Sequence, residues 1–73
     1  MSEHLIKKYI YFLEDLKNKS SYYDLIEELL KVVHDKQMLR SKYISMFSDY
    51  KISGNSELME IVYIVEKILQ SYK

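Results

Sequence analysis

Apolar residues recur along this chain at spacings of three and four rather than two, the period of helices lying on helices. Leu5, Ile6, Tyr9, Phe12, Leu13 and Leu16 share one stripe of a helix predicted from about Glu3 to Lys17, with Glu3 and Lys7 an i,i+4 pair on its other side. Asn18, Lys19, Ser20 and Ser21 form a short connection. Ser20 or Ser21 is expected to cap the next helix, whose positive end Asp24 and Glu27 favour. After the turn Ser53-Gly54-Asn55 a last helix is predicted from Ser56, with Leu58, Ile61, Val62, Val65, Ile68, Leu69 and Tyr72 on its core face.

The middle of the chain carries an apolar heptad ladder with one polar fault. Tyr22, Leu25, Leu29, Val32, Lys36, Leu39, Tyr43, Met46 and Tyr50 alternate spacings of three and four, and only Lys36 interrupts the series. With no proline and one glycine in the chain, nothing there obviously stops a helix, so the pattern favours one continuous helix from Ser21 to Lys51. At 1.5 Å per residue it would span about 45 Å against about 25 Å for each flanking helix, leaving two open apolar half-faces for a second copy to fill. That reading predicts a homodimer. The alternative places a turn at His34, Asp35, Lys36 and Gln37, giving four short helices in one bundle. The fold class is all-α in either case: a small antiparallel bundle of three helices with a long central one, or of four if the middle breaks near residues 34–37.

The last helix is apolar over more than its core stripe needs. With Leu58 at zero and about 100 degrees per residue, the stripe spans roughly 280 to 40 degrees, yet Ile64 falls near roughly 240 and Met59 near roughly 100. Tyr63 lies farther round among Glu60, Lys67 and Gln70, and Tyr11 stands on the charged side of the first helix. Aromatic side chains with one wet edge suit protein interfaces, so Tyr11, Met59, Tyr63 and Ile64 are the candidate anchors for a protein partner. The competing assignment makes Ile64 and Met59 ordinary packing residues of the same bundle and the tyrosines ordinary surface.

Length and charge narrow the function classes. A chain of 73 residues is one domain with a small core, and without cysteine no disulfide supplements it. The longest apolar runs, such as Ile61 to Val65 with Tyr63 included, are far shorter than the roughly 18 to 20 residues of a membrane span. The opening Met-Ser-Glu-His lacks the basic and apolar segments of a signal peptide, so a cytoplasmic location is expected. Eleven Lys and Arg balance eleven Asp and Glu, giving no net field to attract nucleic acid or an anionic membrane.

Candidate chemistry is sparse. His4 and His34 are the only histidines, and neither sits in a nucleophile–base motif or at metal-ligand spacing; His34 beside Asp35 reads as a solvated side chain at the polar fault. The paired carboxylates Glu14/Asp15, Glu27/Glu28 and Glu57/Glu60 have lysines nearby and read as salt-bridged surface. No glycine-rich loop is present to cradle phosphate. A non-enzymatic protein without cofactor or metal is therefore expected. The alternatives to protein binding, as an inhibitor, adaptor or immunity-type protein, are a purely structural self-associating helical protein and a DNA-associated regulator using Lys36, Arg40 and Lys42, against which stand Glu57 and Glu60 at the start of the would-be recognition helix in Met46–Ile64.

The run Tyr22-Tyr23-Asp24-Leu25-Ile26-Glu27-Glu28-Leu29-Leu30-Lys31-Val32, after an amphipathic opening helix, resembles the first hairpin of pediocin-like bacteriocin immunity proteins. Their second helix opens on a similar Tyr-x-Asp-aliphatic-x-Glu-x-Leu-x-Lys-Val run. The resemblance covers less than half the chain. It implies an antiparallel four-helix bundle in the cytoplasm of a producer bacterium, guarding a membrane receptor complex against the cell's own peptide toxin. The second half, Leu39 to Tyr72, is similar in outline to the helical hairpins of sporulation aspartyl-phosphate phosphatases. There Val62-Tyr63-Ile64-Val65-Glu66 replaces the Ser-Gln-Glu-Leu-Asp signature, so that activity does not carry over.

Overall fold

A computed structural model describes residues 3–72, and its secondary structure is four helices: α1 (Glu3–Lys17), α2 (Tyr23–Val32), α3 (Lys36–Ser53) and α4 (Ser56–Ser71). The Glu3 side chain, and with it the expected Glu3/Lys7 pair, lies outside the described residues, as do Met1, Ser2 and Lys73. The turn before α4 falls where Gly and Asn require it. Gly54 adopts φ 65°, a left-handed conformation that glycine takes without the steric cost a side chain brings, and its N–H donates to the Tyr50 carbonyl at 2.7 Å. Asn55 then caps α4, its Oδ1 accepting from the backbone N–H of Glu57 at 2.8 Å and of Leu58 at 3.1 Å.

The middle segment is two helices, so the four-helix alternative describes the fold and the continuous helix over residues 21–51 does not. The cause is local. Asp35 is extended (φ −107°, ψ 103°) and its carboxylate accepts the Met38 N–H at 3.1 Å, an N-cap that starts α3 without help from Gly or Pro. Lys36, the polar fault of the heptad ladder, is thereby the first residue of a new helix and exposed rather than a flaw in a buried seam. The break also resets phase. Ile26, Leu29 and Val33 are buried before it and Leu39 and Met46 after it; in an unbroken helix Val33 and Leu39 would point about 120 degrees apart, whereas the turn brings both to one core.

The α1–α2 connection differs from the expectation as well. Tyr22 is the N-cap of α2 and makes no side-chain cap bond. Ser20 Oγ accepts the Tyr22 N–H at 3.0 Å, and Ser21 Oγ donates to Glu57 Oε1 at 2.7 Å, so these serines tie the connection to the first turn of α4 rather than cap α2.

These ties define the direction of each helix. The start of α2 lies beside the start of α4 through Ser21 and Glu57, and the end of α2 beside the end of α4 through Val33 and Tyr72. Thus α2 and α4 run the same way. The α2–α3 pair is antiparallel, with Lys42 Nζ 2.6 Å from Glu28 Oε1 across it, and α1 and α3 both flank α4. The result is an up-down-up-down bundle in which neighbours in sequence are neighbours in space, with α1 and α4 closing the ring.

Leu13, Ile26, Leu29, Leu39, Ile61, Val65 and Ile68 fill the centre with no exposure to solvent. Helix α4 contributes most, burying Leu58, Ile61, Val62, Ile64, Val65, Ile68 and Ser71, because α1 and α3 cover it from two sides. That double coverage explains Ile64. Read as an outward anchor, it is 8% exposed and belongs to the core.

Candidate protein-binding surface

Outside the core, large apolar side chains are exposed on every helix: Leu5, Tyr11 and Phe12 on α1, Tyr23 on α2, Met38, Ile44, Phe47 and Ile52 on α3, and Met59 and Tyr63 on α4. On α4, Met59 and Tyr63 lie one turn apart on the solvent side, Tyr63 is 55% exposed, and the Lys67 ammonium sits 5.1 Å from its ring centroid. Tyr11 of α1 is 69% exposed. Three of the four anchors named from the sequence are thus on the surface; Ile64 is not.

Helix α3 carries a ridge that periodicity did not single out. Lys36, Arg40, Ile44, Phe47 and Lys51 follow one another at spacings of four, four, three and four, and all are exposed, Ile44 at 61% and Phe47 at 39%. Phe47 stacks between Tyr43 and Tyr50, with ring centroids 5.9 and 6.3 Å away, and the Lys51 ammonium lies 5.3 Å from its centroid. Those stacks fix an aromatic edge at the surface. Met38 and Ile52 of the same helix are exposed too. The missed signal is that α3 holds apolar residues all round its circumference, more than one buried stripe consumes.

Between α3 and α4 the ridge borders an open groove of about 740 Å³ lined by Lys36, Arg40, Tyr43, Ile44, Glu66, Leu69 and Gln70. Its two walls differ in charge. Lys36 and Arg40 stand on the α3 side and take part in no ion pair among the described residues, while Glu66 and Gln70 stand on the α4 side. Partial burial, then the nearby Glu66 carboxylate, push the Tyr43 phenol above its ordinary ionisation range, so it stays neutral on the groove floor. A smaller cleft of about 440 Å³ runs between α2 and α3, lined by Tyr22, Leu25, Lys42, Met46, Asp49 and Ile52 among others.

Lys42, grouped with Lys36 and Arg40 in the DNA-binding alternative, is on a different side of α3. Its ammonium is engaged by Glu28, whose carboxyl it holds below the usual range, first by the hydrogen bond and then by charge. The three residues do not form one basic patch.

His4 on α1 and His34 in the α2–α3 turn are both exposed. Among the described residues no three His, Cys, Asp or Glu side chains converge as metal ligands, and no helix is long and apolar enough to cross a membrane. No protein-family model matches the chain, and comparison with curated proteins and with solved structures gives no significant match.

Proposed function

We propose that this chain is a small non-enzymatic helical protein that acts in the cytoplasm by binding another protein, as an inhibitor, adaptor or immunity-type protein. The observation that carries the reading is the α3 ridge: Ile44 and Phe47 remain exposed beside a complete core, and Phe47 is held in place by its stacked neighbours. An ordered apolar side chain at the surface loses little conformational freedom on binding, the property that anchors of helix-in-groove and helix-on-helix interfaces share. Met59 and Tyr63 on α4 and Tyr11 on α1 extend the available surface. An antiparallel four-helix arrangement is also what the resemblance of the first hairpin to bacteriocin immunity proteins implies, an agreement in fold alone.

Self-association draws on the same surface. The homodimer expected from a long central helix rested on two open half-faces about 45 Å from end to end. With that helix folded back on itself at Val33–Asp35, this ground is gone, and a second copy becomes a competitor for the surface rather than a consequence of the fold. DNA binding loses support likewise, because Lys42 is drawn to Glu28 and Glu66 faces Lys36 and Arg40 across the groove.

The test is photo-crosslinking in the cells that make the protein, with a benzophenone amino acid placed singly at Ile44 and at Tyr63. A discrete adduct with one other protein at either position is expected. Adducts only with nucleic acid, or none from either position, would overturn the reading.

A further inference from the structure

The α3–α4 groove has a polarity that selects among protein partners. Its α3 wall presents Lys36 and Arg40, both exposed and without an ion-pair partner among the described residues, and the ridge ends one turn beyond Phe47 in Lys51. From Lys36 to Lys51 the ridge is about 22 Å long, the length of roughly four helical turns. No carboxylate lies on it. Between the cations lie Tyr43, Ile44 and, across the groove, Leu69, an apolar floor that a flat array of phosphates would leave in water. The α4 wall, with Glu66 and Gln70, repels carboxylates and accepts or donates hydrogen bonds.

From this arrangement we infer that the groove and ridge seat an amphipathic helix of a partner protein whose carboxylates run along one edge, meeting Lys36, Arg40 and Lys51, while its apolar stripe rests on Ile44, Tyr43, Leu69 and Phe47. The inference rests on the protein-binding reading above and adds the chemistry of the partner. Charge complementarity of this kind sets orientation and on-rate, and the apolar contacts supply the dwell time. An acidic helix binds one way round. A basic helix would meet the like charges of Lys36, Arg40 and Lys51 along the ridge, with Glu66 the one carboxylate that lines the groove.

Two synthetic peptides of about 16 residues, each with a leucine stripe at helical spacing and flanked on one edge by glutamates or by lysines, provide the test. They are titrated into the isotope-labelled full chain and followed by amide chemical shifts. The glutamate peptide is expected to bind saturably, with the largest shifts at Tyr43, Ile44, Phe47 and Leu69, and the lysine peptide not to bind. The double change Lys36→Glu with Arg40→Glu, at exposed positions that leave the core untouched, should weaken the glutamate peptide at least tenfold and create affinity for the lysine peptide, the swap expected when like charges replace opposite ones. Equal binding of both peptides, binding of neither at millimolar peptide, or shifts centred on Met59 and Tyr63 would overturn the inference. So would binding of duplex DNA or of phosphatidylglycerol vesicles through Lys36 and Arg40 when the glutamate peptide fails. The two proposals fail separately: crosslinks at Tyr63 without a glutamate-peptide site would leave protein binding standing and remove the acidic-helix partner.

Discussion

The hydroxyl of Tyr72, the residue that ends α4, donates a hydrogen bond to the carbonyl oxygen of Val33, 39 residues earlier, at the end of α2. A helix end leaves its last carbonyls without partners, and here a side chain from the far end of the chain satisfies one of them. The bond closes the bundle at the very turn that divides the middle segment. Together with the Asp35 cap it makes two helices of a sequence whose heptad pattern suits one.

Tyr72→Phe keeps the ring and removes the donor. The loss of one net hydrogen bond predicts about 1 kcal/mol less stability, and for a domain of this size a fall in Tm of roughly 4–8 °C, measurable by calorimetry.

The same tyrosine predicts an alkaline limit. Burial, with the Asp35 carboxylate adding to it, raises the ionisation of the Tyr72 phenol above its ordinary range, so the fold favours the neutral, donating form. A raised pKa in the folded state gives stability that is complete below the unfolded value of about 10 and is lost as pH rises through the folded value. Urea unfolding of the wild type should therefore show stability falling above pH of about 10, with a shallower fall in Tyr72→Phe. Identical slopes would mean that the hydroxyl is not engaged.

The break between α2 and α3 is tested by a pair of neighbours. Asp35→Ala removes the cap and should cost about 1 kcal/mol, whereas Lys36→Leu, at an exposed first-turn position, should change stability by less than about 0.5 kcal/mol. A clear gain from Lys36→Leu would indicate a continuous seam. Gly54→Ala should cost about 1–2 kcal/mol through backbone strain, since its added methyl meets no neighbouring atom and only φ 65° opposes it.

These substitutions also mark which parts of the fold the sequence makes legible. The α3–α4 turn is plain because Gly54 and Asn55 each have one strong conformational use there, and the buried face of α4 follows from spacing alone. The division of the middle segment is harder to see. The ladder from Tyr22 to Tyr50 continues in phase across it, and its stop signal is one aspartate three residues before Met38, with no Gly or Pro. The buried line in α2 is Ile26, Leu29 and Val33, one position away from the Leu25 and Val32 rungs, a shift that only the arrangement of neighbouring helices decides. Tyr11 and Tyr63 are legible as surface because charged residues surround them on the helix, and Met59 because its angle falls outside the core stripe of α4. Ile64 is not, since its burial depends on α4 being flanked on two sides. Lys36, Arg40 and Lys42 look alike in sequence, and the Glu28 contact that separates Lys42 from the others depends on the antiparallel pairing of α2 and α3.

Glu28 predicts a modest acid effect. The Lys42 hydrogen bond and charge lower its pKa, so its contribution is present above the unfolded value and lost as pH falls through the folded one. Because the pair is exposed to solvent and salt, Glu28→Gln should leave neutral-pH stability nearly unchanged while flattening the acid limb of the stability curve at low ionic strength, and added salt should erase the difference.

Binding another protein requires that the apolar side chains outside the core be free to meet it. Light scattering across the size-exclusion peak, repeated from low to high micromolar protein, tests it most directly. One species at the monomer mass of 8.9 kDa is expected throughout. A dimer persisting at the lowest concentration, and abolished by Ile44→Ser with Phe47→Ser, would contradict it by showing that the ridge is spent on a second copy.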